Sequence, residues 1–131
     1  MTGHIEECRR FLELREERRQ AQLDHRFSRA RDDARAIIAL LIGRYRPRRI
    51  YQWGSLLDRS CFWERSDIDI AVEGIVSPDE FFAMYGEADR LTSLPLDLVA
   101  LENIESEFAE IIRTRGKLVY ERGRESSDPI E

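Results

Sequence analysis

Apolar residues recur along the first third of the chain at Leu23, Phe27, Ala30, Ala34, Ile37 and Leu41, in steps of four and three. That spacing lines one face of a helix. No proline interrupts the stretch from Ile5 to Tyr45, so one long N-terminal helix with a single apolar seam is predicted. Upstream of the seam, RRFLELREERRQ is dense in charges that pair at helical separations, Glu6 with Arg10, Arg9 with Glu13 and Glu16 with Arg19. Such pairing supports a solvated helix.

Pro47 ends the helical pattern, and the β-branched and aromatic run Arg48 to Trp53 predicts a first strand that stops at Gly54-Ser55. Residues 56–66 form an irregular connection. From Asp67 to Val72, Ile68, Ile70 and Val72 alternate with Asp67, Asp69 and Ala71, the period of a half-buried strand that carries both carboxylates on one face. Ser77-Pro78-Asp79-Glu80 reads as a helix start, with serine as cap and proline in the first turn, leading into Phe81 to Leu91. A third strand, Leu94 to Leu101, places Leu96 and Leu98 opposite Asp97 and Val99. Asn103 then caps a helix carrying Ile104, Phe108, Ile111 and Ile112, and a short strand at Lys117 to Tyr120 precedes a polar tail read as disordered. The fold class expected is α+β: a small mixed sheet with helices packed on one face and a long N-terminal helix. It divides into a charged helical arm (1–35), a domain (36–122) and a tail (123–131).

At 131 residues the chain has room for one such domain and little more. Its net charge of −5 and pI near 5.2 provide no overall pull toward nucleic acid or anionic membrane, and no direct DNA binding is expected. Residues 1–50 nevertheless hold 13 arginines against 8 acids, leaving the remainder strongly acidic; RNA binding by this basic part would require a steep salt dependence. The longest apolar run, Ala36 to Ile42, is far short of a membrane span. Cys8 and Cys61 match no disulfide or metal spacing, so free thiols in a soluble, cytoplasmic protein are expected. His4 and His25 are isolated and read as surface groups, Trp53, Phe62 and Trp63 as core packing ahead of adenine stacking, and Glu73, which shares the parity of the aspartates, as a surface residue ahead of one that touches the site.

The informative string is YQWGSLLDRSCFWERSDIDIAVEG. Ten aspartates give roughly 0.75 Asp-x-Asp pairs by chance, and requiring Gly-Ser in the right window upstream lowers that to about 0.01. Carboxylates at i and i+2 of a strand point the same way, with Cα atoms about 7 Å apart, and can share one hard cation, for which magnesium is suited. Asp97 adds a third carboxylate if its strand lies beside the second. Gly54 lets backbone approach a phosphate closely, and Ser55 offers its hydroxyl and N–H to phosphate oxygens.

On these residues the chain resembles the minimal nucleotidyltransferase (MNT) family of the DNA polymerase β-like superfamily. Gly54-Ser55 looks like its phosphate-binding Gly-Ser, and Asp67 and Asp69 match its metal-binding Asp-x-Asp. Asp97, in PLDLVAL, stands where the third strand carries the last carboxylate, often the base for the acceptor hydroxyl. The ending IESEFAEIIRTRGKLVYE is also similar, and the likeness spans residues 36–122. The loop departs from the common form: Leu56 to Ser66 is eleven residues rather than ten and opens Leu-Leu-Asp-Arg, removing a glycine and an arginine unless Arg59 substitutes. The resemblance implies a magnesium-dependent enzyme that takes ATP as substrate, with Gly54 and Ser55 on the nucleotide and Asp67, Asp69 and Asp97 as metal ligands and catalytic groups. Such proteins often act beside a helical HEPN protein as its antitoxin, transferring AMP to it. Two alternatives stand beside that reading: nucleotide transfer to a small molecule of the antibiotic type, and a catalytically silent antitoxin that only binds its partner. Exposure of part of the helical seam would further imply either a homo-oligomer through the N-terminal helix or a hetero-complex.

Overall fold

The computed structural model describes residues 2–123. Helix α1 (Thr2–Leu40) runs unbroken and continues into a π-helical turn, Leu41–Tyr45. The chain leaves it through Arg46, in the left-handed conformation at φ 47°, whose N–H bonds the Leu41 carbonyl at 2.9 Å, and then through Pro47. Four strands follow, β1 (Arg49–Trp53), β2 (Ile68–Glu73), β3 (Leu96–Ala100) and β4 (Lys117–Glu121), with α2 (Pro78–Asp89) and α3 (Ser106–Arg115) between them. The polar tail expected at 123–131 lies, apart from Gly123, outside the described residues.

The sheet order is β3-β2-β1-β4, with β2 and β3 parallel and the other pairs antiparallel. Parallel neighbours require a crossover, and α2 supplies it. Ser77 caps α2 as expected, its Oγ accepting from the Glu80 N–H at 3.3 Å. Asn103 does not cap α3: it ends a separate turn at Leu101–Asn103, and Glu105 occupies the cap position without a side-chain bond.

The alternation read in β2 explains the layering. Ile68, Ile70 and Val72 join Ile50, Leu98, Ala100 and Met84 under α1 and α2 in the main core. The predicted seam of α1 lies in this core: Leu23, Ala30, Ala34, Ile37 and Leu41 are all buried. Full burial of one such large side chain stabilises the fold by about 1.5–3 kcal/mol. Helices α1 and α2 thus occupy one face, in keeping with the α+β class, while α3 lies across the other, where Leu101, Ala109 and Ile112 meet Tyr51 and Ala71. Helix α1 passes residue 35 without a break, and every residue from Gly3 to Gln22 is exposed. Of the charge pairs expected there, Glu16 bonds Arg19 at 3.1 Å, whereas Arg10 turns to Glu13 at 3.9 Å. Among the described residues no helix is long and apolar enough to cross a membrane.

Candidate active site

Strand β1 delivers its last residue, Trp53, directly opposite Asp69 of β2, and the chain then turns sharply at Gly54. Gly54 has φ +82°, a conformation that L side chains rarely adopt. It also has no room for one: a Cβ built there would overlap the Asp69 carboxylate, falling 2.9 Å from its Cγ. The Gly-Ser bend is therefore packed against the second aspartate of Asp-x-Asp. Ser55 follows in a single 3-10 turn (Gly54–Leu57), half-buried.

Asp69 is paired in register with Asp97 across the parallel β2–β3 junction, so the two carboxylates stand side by side on the α3 face of the sheet. Asp67 lies two residues before Asp69, just ahead of the strand, and is half-buried. Burial raises the Asp69 carboxyl to about 7, with the charges of Asp97 and then Asp67 pushing the same way. Asp97 is raised by burial and by Asp67. Every influence on these two groups disfavours ionisation, so the cluster is short of positive charge. Oxygen-only donors of this kind fit a hard divalent cation such as magnesium. Among the described residues, no three His, Cys, Asp or Glu side chains are drawn together closely enough to coordinate an ion as they stand.

The loop between Ser55 and Asp67 folds as two short 3-10 turns, Gly54–Leu57 and Arg59–Cys61. Asp58 caps the second through the Ser60 N–H at 2.9 Å. Arg59 does not face the bend: its guanidinium bonds Asp24 at 2.7 Å and Gln20 Oε1 at 3.1 Å, both on α1. It anchors the extended loop to α1. The aromatics beside the loop divide. Phe62 is buried edge-on to Phe27 at 5.2 Å. Trp53 is half-buried and packs edge-on to Phe108 of α3 at 5.5 Å. Trp63 is 52% exposed, against the expectation that it packs in the core, because the turn that Ser66 closes onto the Trp63 backbone holds it outward.

Glu73 corrects the surface reading made from its parity. It is buried, and its carboxylate bridges Arg49 at 2.8 Å and Arg113 at 2.9 Å. Burial alone would raise its pKa, but the hydrogen bonds from the two arginines outweigh that and lower it. Arg49 also bonds Glu121 at 2.7 Å, so this network ties β2, β1, β4 and α3 together behind the aspartates. Its sequence signal was the shared parity with Asp69; the partners lie on other elements. Cys8 and Cys61 are free and exposed, and His4 and His25 are exposed, as expected.

A strand-turn-strand unit with Gly-Ser packed on Asp-x-Asp and a third aspartate on the parallel neighbour defines a nucleotidyltransferase type of core. The family model described as "Polymerase beta, Nucleotidyltransferase" matches residues 35–125, and the chain belongs to that family. No curated protein matches it. Among solved structures it is similar to the toxin-antitoxin MntA-HepT, at 22% identity over 70% of this chain and 72% of that one, with a TM-score of 0.52. It is likewise similar to a toxin-antitoxin with AMP-PNP, at 23% identity over 67% of this chain and 73% of that one, with a TM-score of 0.54. These likenesses concern the fold.

Proposed function

We propose that the chain is a magnesium-dependent nucleotidyltransferase that transfers AMP from ATP to a partner protein, as the antitoxin of a HEPN/MNT toxin-antitoxin pair. The observation that carries this reading is the contact of Gly54 with the Asp69 carboxylate, beside Asp97 in register on the next strand. It brings the Gly-Ser bend and an anionic cluster to one point. In this reading Gly54 and Ser55 hold the triphosphate, and Asp67, Asp69 and Asp97 hold magnesium. The metal, when bound, screens the carboxylates from one another and stabilises charge on the phosphate oxygens. A hydroxyl of the acceptor attacks the α-phosphorus as Asp97 takes its proton; the new P–O bond replaces the bond to pyrophosphate, which leaves. A raised carboxyl pKa brings Asp97 nearer to the range in which a general base works.

The similar structures support the partner half of the reading, since one is a toxin-antitoxin complex and another a toxin-antitoxin with an ATP analogue. The experiment is incubation of the protein with magnesium and ATP labelled at either the α- or the γ-phosphate, together with a purified HEPN partner or a panel of aminoglycosides. Label should pass to the partner from α-labelled ATP only, and the Asp67→Asn plus Asp69→Asn variant should be inert. Label on an antibiotic would establish the small-molecule reading instead. Neutralisation of the partner by the unreactive double variant would establish a silent antitoxin, a reading favoured by the diversion of Arg59 to Asp24.

A further inference from the structure

The most conspicuous feature outside the site is the free part of α1. Contact with the rest of the molecule begins at Arg19, which bonds Glu64 at 2.6 Å, and burial begins at Leu23. The segment from Gly3 to Arg18 therefore projects as a bare helix about 24 Å long at 1.5 Å per residue. A solvated helix is ordinarily polar on all sides. This one exposes Ile5 at 61%, Phe11 at 64%, Leu12 at 59% and Leu14 at 46%. Ile5 stands eighteen residues before Leu23, five whole turns at 3.6 residues each, so the exposed strip continues the buried seam beyond the end of the sheet. Leu12 shares that strip, whereas Phe11 and Leu14 stand on another face of the helix, in line with Glu7 and Arg18 at steps of four, three and four.

The charges on that second face are sorted by position. Glu7 lies toward the tip; Arg15 and Arg18 lie toward the root. The free segment as a whole holds five acids and four arginines, so it can balance itself. A parallel pair of such helices sets Glu7 on Glu7 and Arg18 on Arg18. An antiparallel pair centred between Leu12 and Glu13 sets Glu7 opposite Arg18 and Phe11 opposite Leu14, each contact occurring twice by symmetry. Arg10 opposite Arg15 is the one repulsive match. We infer that the arm is a self-association element: two copies of this chain join through antiparallel pairing of their N-terminal helices, with Phe11 and Leu14 at the centre of the contact and Glu7 and Arg18 at its ends.

The antiparallel arrangement places Cys8 of the two copies nine residues apart along the helix pair, about 14 Å, too far for a disulfide. A parallel arrangement places them side by side. The test is sedimentation equilibrium of the full chain at roughly 1–200 μM, alongside the Phe11→Glu, Leu14→Glu variant, with crosslinking as a second readout. Both substituted positions lie outside the core, so the helical signal and the unfolding midpoint of the variant should match the parent. Expected results are a mass of twice 15.4 kDa for the parent, association at least about 100-fold weaker in the variant, and rapid oxidative crosslinking of a Cys8→Ser, Cys61→Ser, Glu7→Cys, Arg18→Cys chain into a covalent dimer. A monomeric parent at 200 μM would overturn the inference. So would a dimer indifferent to the variant, a Cys8–Cys8 crosslink in the parent, or a parent whose arm is protected only when a different protein is added.

Discussion

Replacing Asp69 by asparagine should stabilise the protein while abolishing its proposed activity, and the gain should depend on pH. The Asp69 carboxyl stands at about 7 instead of the ordinary 3.8. At about 1.4 kcal/mol per tenfold change in proton affinity, ionising it costs roughly 4 kcal/mol more in the fold than in the open chain. Relaxation of the partly solvated neighbours Asp67 and Asp97 reduces this, and a gain of about 2 kcal/mol for Asp69→Asn at pH 8 is expected. Because the folded pKa is raised, the stability attached to the protonated form is fully present below pH 3.8 and is lost as pH rises toward 7. The variant should therefore match the parent near pH 4 and exceed it at pH 8. Magnesium at millimolar concentration should raise the parent's midpoint at pH 8 and leave the variant's unchanged. Urea unfolding at the two pH values, with and without magnesium, measures all four quantities. A variant less stable than the parent at pH 8, or one whose gain is the same at pH 4, would refute the claim that Asp69 is held against like charge.

Further outcomes follow from the same geometry. Gly54→Ala forces a methyl onto the Asp69 carboxylate at a positive φ, and should lower nucleotidyl transfer more than about 100-fold, with a backbone penalty of about 1–2 kcal/mol read by thermal unfolding. Glu73→Gln leaves Arg49 and Arg113 without their shared carboxylate and should cost about 2 kcal/mol in urea unfolding. Since its folded pKa is lowered, that contribution is present above pH 4.5 and should disappear as the medium is acidified below it. Arg59→Ala should leave magnesium-dependent ATP affinity by calorimetry unchanged, because that side chain is spent on Asp24 and Gln20; a tenfold loss would place it on the nucleotide after all.

The sequence made the site more legible than its surroundings. Alternation in Ile68 to Val72 fixes which face carries Asp69, and the leucines flanking Asp97 fix the same for β3, because a two-residue period leaves no other choice when one face is buried. The Gly-Ser position between two strands then dictates a close turn. What stayed hidden depends on partners distant in the chain. Parity placed Glu73 on the face of the aspartates, yet its burial comes from Arg49 on β1 and Arg113 on α3, and no local pattern announces either. Arg59 looked free for a phosphate because its attachment, Asp24, is 35 residues away on α1. Asn103 has the chemistry of a cap, but Leu101 is buried against Tyr51 and Ala71 and holds Asn103 in a separate turn. The seam of α1 was legible from Leu23 onward; where it leaves the core was not, because helical periodicity is blind to the edge of the sheet.

Crystals grown with manganese and a non-hydrolysable ATP analogue would show whether Asp67, Asp69 and Asp97 gather one divalent ion next to a triphosphate on the Gly54-Ser55 bend. The expected result is an anomalous peak within coordination distance of all three carboxylates, with phosphate oxygens against the Gly54 and Ser55 backbone. A nucleotide bound elsewhere, or one bound at the bend while the three aspartates carry no ion, would contradict it.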